Sequence, residues 1–106
     1  MALGRLQLPT AARRGEAVEV RLLIQHPMET GFRREPDGRV VPMNVVSTVS
    51  CRYGGQEVFR AELGSGVAAN PYFSFWLRAE ASGDVSVEWI DDAGERGAAR
   101  AFLAVP

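Results

Sequence analysis

The chain has 106 residues, of which 46% are hydrophobic, with 12 basic and 13 acidic side chains and a formal net charge of −1. That is the size and composition of one folded domain spanning residues 1–106, and interspersed charges of both signs exclude the basic footprint of a nucleic-acid binder. No apolar run approaches the ~20 residues that would span a membrane, and every basic residue is Arg, so no lysine can serve as Schiff base or general base.

From the N-terminus, Leu3 to Leu8 fits a short first strand. The first 20 residues show no basic segment followed by a sustained apolar one, so on composition alone they hold no secretory signal and point to the cytoplasm. Val18, Val20, Leu22 and Ile24 then alternate with Glu19, Arg21 and Leu23, the period of a half-buried strand. From His26 to Pro42 about 17 residues carry little strand pattern, long for a connection in a compact domain. Within them Glu35 to Arg39, "EPDGR", is a strong turn signal, because Pro presets φ and Asp-Gly favours a tight reversal. The segment therefore reads as a protruding hairpin arm, with "METGFRR" going out and "RVVPM" returning, and Pro42 keeps the returning limb off any central sheet position.

Further strands follow at short intervals. Val45, Val49, Cys51 and Tyr53 share a face with Ser47 between them; Phe59, Ala61 and Leu63 follow the "YGGQ" turn. Leu63 to Asn70 is the one place with room for a short helical turn. Phe73, Phe75 and Leu77, then Val85, Val87 and Trp89, then Ala99, Ala101, Leu103 and Val105 complete the series. Seven short strands with turn signals between them predict an all-β fold, an immunoglobulin-like antiparallel β-sandwich. A small barrel is the alternative; two layers are favoured because each strand offers one apolar and one mostly polar face. The Cys–Trp–Cys pattern of antibody domains is absent, since Cys51 stands alone.

Two sets of residues invite a functional reading. If Phe73, Phe75 and Leu77 point inward, Tyr72 and Trp76 point outward, and Leu23 and Phe102 also fall on outward faces. Exposed Tyr and Trp are enriched at interfaces; the other reading is a loop that covers them. His26, Met28 and Glu29 could offer a nitrogen, a thioether and a carboxylate to a soft metal. Stable sites use three or four ligands, however, and the chain has no second His and no nearby Cys. A lone His with scattered carboxylates is also a weak catalytic signal, lacking nucleophile and orienting group, whereas a His before Pro at a strand end commonly bonds nearby backbone. Cys51 has inward parity and reads as an inert core thiol.

The segments "RRGEAVEVRLLIQHPMETGFRREPDGRVVP", "CRYGGQEVFRAEL", "AANPYFSFWLRAEASGDVSVEW" and "DDAGE" together resemble the SoxZ family of sulfur-oxidation proteins over nearly the whole chain. The resemblance implies a non-catalytic subunit without a cofactor. It would pair with SoxY, whose C-terminal arm carries sulfur on a cysteine, and present that carrier to the other Sox enzymes of thiosulfate oxidation in the periplasm. It also implies export in complex with a SoxY bearing a twin-arginine signal, which displaces the cytoplasmic expectation. This chain ends "RAFLAVP", without a Gly-rich cysteine tail, and should carry no sulfur itself. The partner-binding residues expected on this reading are His26, Met28, Phe32, Arg33 and Arg34 on the arm, with Asn70, Tyr72 and Trp76 on the sandwich. Met28 and Phe32 could instead fold the arm onto the sandwich. Homodimerisation of the isolated chain through its apolar face stays open. The competing function is a stand-alone β-sandwich that binds a small ligand or metal at the His26 loop.

Overall fold

Alternation of apolar and polar residues becomes a two-layer sandwich in the computed structural model, which describes residues 3–106. Its strands are β1 (Leu3–Gln7), β2 (Ala17–Gln25), β3 (Val46–Tyr53), β4 (Gln56–Glu62), β5 (Tyr72–Arg78), β6 (Gly83–Asp91) and β7 (Arg96–Leu103). One sheet runs β1-β2-β5 and the other β4-β3-β6-β7, with every neighbouring pair antiparallel. Between them lies the core: Val18, Val20, Leu22 and Ile24 of β2, Phe75 and Leu77 of β5, Val49, Cys51 and Tyr53 of β3, Val85, Val87 and Trp89 of β6, and Leu103. Period-2 burial on each strand is what one buried and one solvated face per sheet requires.

Two local expectations change. A bulge between Val46 and Thr48 breaks the parity of β3, so both Val45 and Val46 are buried, while Ser47 turns its hydroxyl to the Ile90 carbonyl at 3.2 Å. Simple alternation missed Val46 because a bulge adds one residue to one strand of a pair. Leu63 to Asn70 holds no helix: Leu63 N–H donates to Ser47 O, and Val67 N–H closes a single turn on Gly64 O. Two glycines in "LGSGV" make a helical turn costly there.

The margins of the sandwich differ. At one, Trp89 packs between Gly4 of β1 and Gly97 of β7, where a Cβ on either glycine would overlap the indole. A parallel bridge between Ala11 and Ala104 continues that seam. At the other margin Phe59 of β4 stacks on Phe75 of β5, with centroids 4.2 Å apart, and meets Phe73 edge-on at 6.1 Å. Tyr53 fastens the nearby turn: its hydroxyl donates to Ala81 O at 2.5 Å and accepts from the N–H groups of Glu80 and Ala81.

The arm stands out of this body. Glu29 pairs with Asn44 at its base and Arg34 with Val40 near its tip. Glu35 N–H to Arg39 O and Gly38 N–H to Glu35 O close the reversal at the expected "EPDGR". The molecule is 59 Å long and 19 by 18 Å across, with a radius of gyration of 16.1 Å; a compact chain of this length would have about 13 Å.

Candidate partner-binding site

His26 lies just past β2, and its side chain is only 4% exposed. Its Nδ1 accepts from Met28 N–H at 2.9 Å, which leaves Nε2 as the proton-bearing nitrogen, donating to Asp91 Oδ2 at 3.1 Å. Asp91 Oδ1 in turn accepts from Glu95 N–H at 2.9 Å. Burial pushes the Asp91 carboxyl up, but the hydrogen bonds from His26 and from the backbone of Glu95 and Ala93 outweigh it and hold the group below the usual carboxylate range. Asn70 clamps the other side of His26: its Oδ1 accepts from His26 N–H at 3.0 Å and its own N–H donates to His26 O. Both Met28 and Asn70 take positive φ, 53° and 54°, to serve this junction. Asn tolerates that region more readily than Met does.

Met28 is 4% exposed, and its Sδ accepts from Val46 N–H at 3.2 Å. His26 and Met28 are therefore core and hinge residues of the arm base, with side chains buried in the free chain. Within the "HPMETGFRR" segment, expected as a contact surface, these two side chains are turned inward while Phe32 is exposed. Both imidazole nitrogens are engaged internally, which leaves none free for a metal or small ligand at this loop. Among the described residues no three His, Cys, Asp or Glu side chains gather to hold a metal ion. Cys51 is buried, and desolvation pushes its thiol up to about 11.

The base draws in residues that the sequence reading passed over. Asn44 exchanges backbone bonds with Glu29, and its Oδ1 accepts from Ala93 N–H. Asp92 Oδ2 accepts from Val45 N–H, and Asp92 N–H donates to Val45 O. The arm is thus tied to the β6–β7 turn from both of its limbs. The available signal was "DDAGE" directly after a strand, two acids beside a turn in a chain with a single His.

Further out, the arm is open to solvent. Phe32 is 85% exposed, and Val40 and Met43 are also exposed. Arg33 forks onto Glu29 at 2.8–3.2 Å and holds that carboxyl below its ordinary value. Arg34 donates to Gly38 O across the hairpin at 2.9 Å. Phe32 does not fold back onto the sandwich, whereas Met28 does.

The outer face of the three-stranded sheet carries the second set. Tyr72 and Trp76 are 58% and 64% exposed, as their parity requires. Register places Tyr72 opposite Leu23, and Leu23 opposite Arg5 on β1. With the exposed Leu3 they form an apolar outward surface; Leu3, Gly4, Arg5, Leu23, Gln25 and Asn70 line a shallow hollow of about 380 Å³. Trp76 sits opposite Glu19, whose carboxylate takes hydrogen bonds from Ser74 Oγ at 2.7 Å and from Arg21 Nη2 at 2.9 Å. Among the described residues no loop covers Tyr72 or Trp76. Phe102 is a separate exposed aromatic, at 57%, on the outer face of the other sheet.

Comparison with known proteins agrees with this architecture. The family model described as sulphur oxidation protein SoxZ matches residues 6–101, and the chain belongs to that family. A search of curated protein sequences returned no match. Among solved structures, the fold is similar to a superoxide reductase (neelaredoxin) from Ignicoccus hospitalis, at TM-score 0.71 and 16% identity over 97% of this chain and 80% of that one. It is also similar to the sulfur carrier protein SoxY from Chlorobium limicola f thiosulfatophilum, at TM-score 0.66 and 14% identity over 97% and 78%. A putative superoxide reductase from Thermotoga maritima aligns at TM-score 0.65 and 13% identity over 94% and 84%. At these identities the likeness shows the sandwich fold alone.

Proposed function

We propose that this member of the SoxZ family is a non-catalytic subunit that pairs with SoxY and helps present its cysteine-bound sulfur intermediates to thiosulfate-oxidising enzymes. Family membership supports the role, and the observation that carries the binding reading is the uncovered Tyr72–Trp76 face. A strand apolar on both sides needs cover on both, and a sandwich provides only one. On the opposite side of β5 lie Phe73, Phe75 and Leu77, already packed toward the core. Phe32, Arg33 and Arg34 on the arm supply a second contact region held at a set angle by the His26–Asp91 junction. On this reading the pair would act in the periplasm, exported together with SoxY. Nothing in the residues brought together favours chemistry by this chain: the thiol is buried and un-ionised, and the imidazole is locked.

The test is a titration of a cognate SoxY chain into the purified protein and into Trp76→Ala, with a thermal melt of each. A buried aromatic anchor commonly contributes about 2 kcal/mol or more, roughly thirtyfold in affinity. Trp76→Ala should weaken the complex at least ~tenfold while leaving the melting temperature of the isolated chain nearly unchanged. Unchanged affinity for the folded variant would move the interface away from β5. Arg78→Ala, further along the same face, should chiefly alter association rate and its salt dependence.

A further inference from the structure

The four edge strands of the sandwich are not equivalent. β1 and β7 lie side by side, sealed by the Trp89 ring between Gly4 and Gly97 and by the Ala11–Ala104 bridge. β4 carries a bulge: Cys51 pairs with Phe59 and Arg52 with Glu57, so Val58 has no partner on β3. Bulges of this kind blunt an edge against pairing. β5 is different. It runs from Tyr72 to Arg78 in unbroken register with β2, contains no Pro, and has no strand on its other side among the described residues.

Which backbone groups face that open side follows from the ladder. Ile24 N–H donates to Pro71 O at 2.9 Å and Ala79 N–H to Glu16 O at 2.9 Å, so the odd positions turn their polar groups to β2. In an antiparallel pair the orientation alternates residue by residue. Tyr72, Ser74, Trp76 and Arg78 therefore direct their N–H and C=O groups away from β2, into the open margin. Beside that margin runs a groove of about 300 Å³ lined by Tyr53, Val58, Trp76, Leu77 and Arg78, among others.

We propose that SoxY adds one of its own edge strands to β5, so that the sheet β1-β2-β5 continues into the partner. This rests on the SoxY-partner reading above and specifies how the two chains join. Strand addition supplies affinity through main-chain hydrogen bonds and specificity through alternate side chains. The added strand must be apolar on both faces: one side drops toward Val58 and Leu77 in the groove, and the other lies beside Tyr72 and Trp76. A SoxY structure superposes on 97% of this chain at TM-score 0.66, so a partner of that kind is itself a sandwich with sheet edges to offer.

Amide hydrogen exchange of the isotopically labelled chain, alone and with unlabelled SoxY, tests this residue by residue. In the dilute free chain the amides of Tyr72, Ser74, Trp76 and Arg78 should exchange rapidly while those of Phe73, Phe75 and Leu77 are protected. In the complex the four even amides should slow at least ~100-fold, the range that separates open from paired backbone. Ser74→Pro removes one edge donor without touching the β2 ladder, a position where Pro is tolerated. It should weaken the complex at least ~tenfold, whereas Ser74→Ala, which keeps the N–H and loses only the bond to Glu19, should stay within about threefold. If SoxY binds the unaltered chain but the even amides exchange as before, the strand-addition proposal is wrong and the partner docks by side chains alone. If the even amides become protected in the isolated chain as its concentration rises, and SoxY adds nothing, a second copy occupies the edge and the proposal is overturned. Absence of any SoxY binding defeats the functional reading itself. Should Ser74→Pro fail to fold, the exchange pattern of the unaltered chain still decides.

Discussion

Asp91→Asn is a nearly isosteric change that should destabilise the protein without creating a cavity. The hydrogen-bond relay at the arm base begins and ends on fixed backbone donors, Met28 N–H and Glu95 N–H. Between them stand His26, with one donor and one acceptor when neutral, and Asp91, with two acceptors. Replacing the carboxylate by an amide adds a donor, and no arrangement then satisfies the relay. If Nδ1 accepts from Met28, the Nε2 proton needs the amide oxygen, which turns the amide nitrogen against Glu95 N–H. Any other tautomer or flip moves the same donor–donor conflict elsewhere. One unsatisfied buried donor costs about 1–3 kcal/mol, and each kcal/mol lowers the melting temperature of a chain this long by roughly 4 °C or somewhat more. A protonated carboxyl likewise places a donor on a side chain that must otherwise only accept. Because the folded Asp91 is held below its unfolded value of ~3.9, its contribution is present above that pH and is lost as pH falls through the folded value. The deficit of Asp91→Asn should therefore be full at pH 7 and shrink below about pH 4. Urea unfolding of both proteins across this range measures it. A variant within ~0.5 kcal/mol of the parent at pH 7, the usual scatter of surface changes, would refute the relay.

Gly97→Ala should destabilise by about 1–3 kcal/mol, the usual cost of overpacking, because its Cβ would overlap the Trp89 indole; Gly64→Ala, with nothing near its Cβ, should be neutral or slightly stabilising in the same melts. The Cys51 thiol, buried and raised to about 11, should resist a maleimide in native protein at pH 8 and react on unfolding; rapid native labelling would contradict the packing. Cys51→Ala should cost about 1 kcal/mol or a little more, as small core truncations do, and leave SoxY affinity unchanged in a titration. Phe32→Ala should leave stability within ~0.5 kcal/mol, since the ring touches little of the sandwich; a larger loss in a melt would mean that the arm folds back.

Much of the fold was legible because strand parity is a local property. Val18 to Ile24, Phe75 and Leu77, and Val85 to Trp89 took the faces their alternation assigned, and Tyr72, Trp76 and Phe102 remained outside. The arm was legible too, since "EPDGR" encodes its turn within five residues. Val46 was hidden because a bulge is decided by the partner strand rather than by the strand's own sequence. The inward setting of His26 and Met28 was hidden for a related reason. Their environment depends on Asp91 and Val46, 65 and 18 residues away along the chain in the respective bonds, and no spacing rule joins them. Tyr72 and Trp76 needed no such partner: a surface residue is read from parity alone.

The most direct test of the central claim, that this chain is the binding subunit of a SoxY pair, is calorimetric titration of the purified protein with a cognate SoxY chain. The expected result is a one-to-one complex with a Kd of about 1 μM or tighter, as specific interfaces of ordinary size reach. Binding should carry the negative heat-capacity change that accompanies burial of an apolar surface such as Leu23, Tyr72 and Trp76. No heat of binding at ~100 μM of both chains, where even a weak specific pair would associate, together with two separate species by sedimentation, would contradict it.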